Sequence, residues 1–246
     1  MRLAILTGIA MTLAAQQAAP QFDVASLKHE GDVASNVTRA GGVRSSGLRP
    51  LVFTPTSFSC KTTLLQIFTA IYDVKNYQVQ APDWFDREVY EIDARMPGPT
   101  SRETARQMLE ALLVERLGLK VHRQTKETPV LVLVAIPGSD KLEEVTPAPE
   151  SPQIVIAANG LEARPATTLA SLVSILWRNA GRPVLDETGR TGYYKVKLLW
   201  SEDGGPAELG ASMISALPQA GLKVESAKRS LEYIIVDQIS KEPAGN

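Results

Sequence analysis

Apolar residues recur at helical spacing at Leu64, Ile67, Phe68, Ile71 and Tyr72, and again at Leu169, Leu172, Val173, Leu176 and Trp177. Positions i, i+3, i+4, i+7 and i+8 fall on one stripe of an α-helix, so the pattern predicts helices over about 60–73 and 167–179. Ser59 is placed to cap the first of these. A third helix starts at Thr100 or Ser101, carries Met108, Leu109, Leu112, Leu113 and Leu117, and stops at Gly118 in the C′ position. A weaker one around 207–217 is interrupted by Gly210 and followed by Pro218. Between the helices apolar and polar residues alternate in the manner of strands. In the first half these cover 22–28, 51–54, 77–80, 89–95, 119–124 and 129–136, the last two joined by Thr125-Lys126-Glu127-Thr128. In the second half they cover 154–158 and 161–164 around the hairpin signal Asn159-Gly160, then 183–185, 193–200, 222–226 and 231–239.

The two halves match in order. At an offset of 105 the first helical stripe falls on the second, and Val79 falls on Val184. Tyr90-Glu91-Ile92-Asp93 falls on Tyr194-Lys195-Val196-Lys197 at 104, and Gly118-Leu119-Lys120-Val121 on Gly221-Leu222-Lys223-Val224 at 103. The expected fold class is therefore α+β, built as two tandem β-α-β-β-α-β repeats of two layers with mixed or antiparallel sheets. The repeats are placed at 21–137 and 153–242. Between them 138–152, with three prolines and Pro137 just before it, reads as a linker or surface loop. Two separate domains and one composite sheet both satisfy this pattern.

The N-terminus changes the setting. Arg2, an apolar run over 3–15 and a Gln/Ala/Pro tail have the form of a secretory signal peptide, with cleavage placed after Ala14. The run is shorter than the roughly 20 apolar residues a spanning helix needs. No stable membrane insertion is expected after cleavage, and the remaining 232 residues would be periplasmic or secreted.

Composition removes several function classes. With Lys+Arg 26 against Asp+Glu 27 there is no basic excess for nucleic acid. One cysteine, Cys60, allows no intramolecular disulfide, and two histidines, His29 and His122, argue against a His- or Cys-rich metal site. No metal and no cofactor is expected.

Several segments resemble a known family. Phe22-Asp23-Val24-Ala25-Ser26-Leu27-Lys28, Ala81-Pro82-Asp83-Trp84, the stretch 119–127 and the stretch 181–193 are similar to hallmark segments of an uncharacterised, soil-associated family of exported bacterial proteins. Some of its members carry the domain beside a BlaR-type antirepressor metallopeptidase region. The resemblance implies export and a non-catalytic or sensory module, and brings no site residues with it. This chain has no His-Glu-x-x-His. A looser similarity, of topology alone, is to the small N-terminal domains of secretins and TonB-dependent receptors.

Six residues stand out as candidate binding groups. Asp83 and Trp84 lie in a loop with Phe85, where alternation does not call for aromatics, and an exposed ring there would stack on a sugar or a partner side chain. His122 and Arg123 lie on a strand with Lys120 and Lys126 close by, a basic patch for an anionic glycan. Arg182 and Asp186 flank Pro183-Val184-Leu185. The segment Asp186-Glu187-Thr188-Gly189-Arg190-Thr191 resembles a phosphotransfer loop, but its second acidic motif is missing, since Asp203-Gly204-Gly205 sits in a polar loop. A Gly-defined turn held by Asp186 and Thr188 is the plainer reading. Cys60 is expected near a helix N-terminus, as a half-buried thiol. No catalytic constellation assembles from these residues. The sequence is read as a non-enzymatic interaction or sensing module of the cell envelope, partnered by a protein or an envelope glycan. The alternatives are a glycan binder using Trp84 and the Lys120/Arg123 strand, and a hydrolase using Asp186, or a thiol site at Cys60.

Overall fold

A computed structural model describes residues 19–35, 38–40, 43–45, 47–139, 141–146, 151–157, 159–200 and 208–245. The signal segment and the loop holding Asp203 lie outside these residues. The elements in order are β1 Val24–Asp32, β2 Thr38–Ala40, β3 Val43–Ser45, β4 Arg49–Phe53, β5 Ser57–Thr63, α1 Leu64–Tyr72, β6 Val79–Gln80, β7 Glu88–Arg95, α2 Arg102–Leu117 and β8 Lys120–Ala135. There follow β9 Glu143–Glu144, β10 Gln153–Ala157, β11 Gly160–Arg164, α3 Leu169–Ala180, β12 Val184–Asp186, β13 Tyr194–Lys195, β14 Lys197–Leu199, α4 Leu209–Ala216 and β15 Leu222–Gln238. The class is α+β. Among the described residues no helix is long and apolar enough to cross a membrane.

The chain divides into two compact units, of which the first is built from two separate stretches and the second from one. Unit 1 runs up to Gln124 and resumes at Ile234, whereas unit 2 is Thr125–Tyr233. In unit 1 the strand order is β1-β7-β5-β4, antiparallel throughout. Tyr90 and Ile92 of β7 and Phe58 and Cys60 of β5 turn inward to meet Leu64, Ile67 and Phe68 of α1 and Leu109 and Leu113 of α2. Ser101 caps α2 by accepting from the Thr104 N–H at 3.1 Å, and Gly118 ends it in the left-handed region. The end of β15 adds Ile234, fully buried, beside Val79 of β6 in a parallel pair.

Unit 2 has the order β10-β11-β14, again antiparallel. Helix α3, capped by Thr168, sets Leu169, Leu172 and Leu176 against Leu161, Leu198, Met213 and Leu217. Val184 of β12 pairs in parallel with Leu131 of β8. This pair and Val79 with Ile234 are related by the sequence offsets 105 and 103, with the strands taken from opposite halves of the chain. Gly210 lets α4 close on the end of α3, because a Cβ there would sit 2.0 Å from the Asn179 carbonyl oxygen.

Several elements differ from the sequence reading. Residues 57–63 are a strand, with Phe58, Cys60 and Thr62 buried on one side, so α1 begins after Thr63 and Ser59 caps nothing. Each of β8 and β15 is a single strand where two were expected. The segments 125–128 and 227–230 contain no glycine, proline, asparagine or aspartate to reverse the chain. In the hairpin the ladder closes at Ala157 with Gly160, one position earlier than an Asn159-Gly160 turn implies. Segment 138–152 supplies β9 and the buried Leu142 to unit 2, rather than only joining two domains.

Candidate functional site

The alternation Tyr194-Lys195-Val196-Lys197-Leu198 buries the tyrosine, valine and leucine and turns both lysines out. On β11 the same alternation buries Leu161 and Ala163 and leaves Glu162 and Arg164 facing away from the core. Register brings Glu162 opposite Lys197 and Gln153 opposite Arg164. With Lys141 and Ser151 from the segment before β10, these side chains line a groove of about 810 Å³ in unit 2. That volume lies within the range of small-ligand sites, roughly 300–1,000 Å³.

Its charge is one-sided. Lys141, Arg164, Lys195 and Lys197 face a single lining carboxylate, Glu162. Oε2 of Glu162 accepts from Nε and Nη2 of Arg164 at 2.8 and 2.7 Å. The Arg164 guanidinium, helped by Lys197, holds that carboxyl below the usual carboxylate range. Lys195 is paired with Glu143 and Lys141 donates to the Pro218 carbonyl at 3.2 Å. Lys197, the first residue of β14, is exposed like Lys195 at the end of β13, with the buried Val196 between them. The groove can thus offer fixed cations, together with the Ser151 hydroxyl and the Gln153 amide.

None of the six residues singled out in sequence lines this groove. Asp83 and Trp84 form a turn in which the Phe85 N–H donates to the Pro82 carbonyl at 2.9 Å. Trp84 is half-buried against the core of unit 1, beside Phe85, while Asp83 is exposed on a cleft of about 460 Å³. His122 has its Nδ1 2.9 Å from both carboxylate oxygens of Asp237, a partner 115 residues away, and the Arg123 guanidinium lies 5.9 Å from the Tyr72 ring centroid. Arg182 is exposed beyond α3 in unit 2. Asp186 accepts from the Thr188 N–H at 3.0 Å and its hydroxyl at 2.7 Å, closing the turn after β12. Cys60 is in mid-strand rather than at a helix N-terminus, and burial pushes its thiol up to about 12. Among the described residues no group of three His, Cys, Asp or Glu could hold a metal ion.

A second polar cluster lies in unit 1. His29 Nε2 is 2.7 Å from Glu88 and its Nδ1 2.8 Å from Glu242, the ring stacking on Tyr90. Glu88 also pairs with Lys241, and Tyr90 donates to the Lys241 carbonyl oxygen at 2.8 Å. Lys241 and then His29 hold the Glu88 carboxyl below the usual range, against the effect of burial. Both Glu88 oxygens and both imidazole nitrogens are engaged here in fastening the C-terminal segment, which also bonds α2 through the Ser240 and Ala244 N–H groups. The groove left one local trace in sequence, the alternating lysines at 195 and 197. The His29 cluster left none, since its members are 59 and 213 residues apart.

No curated protein and no solved structure matches the chain. A family model described as a protein of unknown function, DUF3738, matches residues 65–239, from α1 to just past the end of β15 and so across both units. The chain belongs to the DUF3738 family.

Proposed function

We propose that this protein is an exported, non-enzymatic binding module of the bacterial cell envelope, and that the basic groove of unit 2 holds an acidic envelope glycan. The observation that carries the reading is the convergence of four cations from three chain segments on one 810 Å³ groove with a single lining carboxylate. Fixed ammonium and guanidinium groups attract a carboxylate- or phosphate-bearing polymer, while Ser151 and Gln153 supply neutral hydrogen bonds suited to sugar hydroxyls. Export follows from the N-terminal sequence, Arg2 with the apolar run after it.

The test is retention on immobilised acidic and neutral polysaccharides and on purified peptidoglycan. The wild-type chain is expected to be retained by the acidic polymers, with retention weakening as salt rises. Lys195→Glu combined with Lys197→Glu should abolish it, and Trp84→Ala should leave it intact. Equal retention of the charge-reversed variant, or no retention of the wild type on any anionic polymer, would overturn the reading. Export is tested separately by fusing residues 1–20 to a reporter that is active only outside the cytoplasm.

A further inference from the structure

The sheet of unit 2 has an outer strand, β10, that carries none of the features that usually blunt an edge. Its sequence is Gln153-Ile154-Val155-Ile156-Ala157, without charge, proline or register irregularity. Among the described residues no strand pairs with it on the side away from β11. Val155 and Ile156 are 37% and 44% exposed. The matching edge strand of unit 1, β4, has Arg49, Pro50 and a register shift between Arg49 and Val52.

Register says which backbone groups are open. The Ala163 N–H turns toward the next strand, donating to the Val196 carbonyl at 2.8 Å. In an antiparallel pair the residue opposite it, Ile154, must then turn its own N–H and C=O away from β11, and so must Ile156 two residues on. The edge therefore presents two donors and two acceptors, spaced symmetrically about Val155.

That spacing is self-complementary. We propose that β10 is a self-association edge, pairing antiparallel with β10 of a second copy of this chain about a two-fold axis at Val155. Ile154 of each copy lies opposite Ile156 of the other, and each pair exchanges both backbone hydrogen bonds, four in all. Val155 faces its own counterpart in the non-hydrogen-bonded position, where Cα atoms approach to about 4.5 Å. No like charges meet, because the strand has none. The isoleucines, which lie on the core face with Leu161 and Ala163, continue that apolar face across the axis. Gln153 of the same strand lines the groove, but the pairing uses Ile154, Val155 and Ile156 and does not depend on the groove's ligand.

The experiment uses the full chain. Sedimentation over a wide range of concentration is expected to show a monomer–dimer equilibrium. Val155→Lys puts like charges across the axis and should weaken it at least about tenfold with an unchanged melting curve. Val155→Cys should oxidise to a covalent dimer, whereas Ile156→Cys, offset from its own copy, should not. Cys60 is 1% exposed and does not compete. A chain that stays monomeric throughout overturns the proposal. So does a dimer indifferent to Val155→Lys, or Ile156→Cys cross-linking as readily as Val155→Cys; the cysteine pair decides the matter if the lysine variant fails to fold.

Discussion

In unit 1 the strand β7 has β5 on one side and the nine-residue β1 on the other. In unit 2 the strand in the same place, β14, has β11 on one side, and on the other the carboxamide of Gln219 takes up both backbone groups of Leu199. Its Oε1 accepts from the Leu199 N–H at 3.0 Å and its Nε2 donates to the Leu199 carbonyl at 2.7 Å. One side chain thus does at one residue what a whole strand does in unit 1. The contrast extends to the opposite edges, where β4 carries proline and arginine and β10 carries neither. Unit 1 spends its polar groups on closure, with His29, Glu88 and Tyr90 holding the C-terminal segment. Unit 2 gathers four cations on a groove with one lining carboxylate and leaves a strand edge open. Two units that share a three-strand order, β4-β5-β7 in one and β10-β11-β14 in the other, therefore differ in how their edges are finished.

The largest test of this division is removal of 234–246. Unit 1 would lose Ile234 from its core, the Lys241 and Glu242 partners of Glu88 and His29, and the bonds of Ser240 and Ala244 to α2. Loss of one fully buried aliphatic side chain alone costs about 2–5 kcal/mol, so the truncated chain should lose the cooperative melting of unit 1. Limited proteolysis should then cut within 19–124. A truncated chain with an intact unit 1 transition would show that the C-terminal segment is not part of the unit. Next in size is Gly210→Ala, which acts on unit 2. A Cβ 2.0 Å from the Asn179 carbonyl forces α4 off α3, and a cost of at least about 3 kcal/mol is expected, read as a lowered denaturation midpoint confined to unit 2 signals.

Acid acts on the closure of unit 1. The folded state holds the Glu88 carboxyl below its ordinary value of 4.5, so its ionised form contributes stability that is fully present above that pH. That contribution is lost as pH falls through the lower folded value. Glu88→Gln removes a charge-assisted partner of Lys241 and His29, should cost about 2 kcal/mol at neutral pH, and should flatten the acid limb of the stability curve. Equal acid sensitivity of variant and wild type would mean that other carboxylates set that limb.

What was legible in sequence follows from how far apart the deciding groups lie. Helices α2 and α3 were readable within a residue or two, because an apolar stripe, a Ser or Thr cap and a terminal glycine are all local. Helix α1 begins at Leu64 rather than near Cys60, because three inward residues, Phe58, Cys60 and Thr62, are a short sample of strand alternation beside a strong helical stripe. The breaks expected at 125–128 and 227–230 rest on polarity alone; none of these residues is buried, and strand pairing rather than burial carries the backbone through. That each half of the chain sends its last strand into the other unit has no local signature. The groove shows the same limit: Lys195 and Lys197 sit on one face by simple alternation, but Arg164 and Lys141 reach them only through sheet order.

The smallest effect bears most directly on the comparison of edges. Gln219→Ala leaves the Leu199 N–H and C=O without their side-chain partner, at a cost of about 1 kcal/mol each at most because water can reach an exposed edge. Global stability should hardly move. The sensitive readout is hydrogen exchange at Leu199, which should speed up in the variant while the Trp200 amide, bonded to the Asn159 carbonyl on the β11 side, keeps its protection. The corresponding amides of β7 in unit 1, covered by β1, should exchange slowly in both proteins. If Leu199 exchanges no faster without Gln219, then the carboxamide is not what closes that edge, and the contrast between a strand in unit 1 and a single side chain in unit 2 fails at its narrowest point.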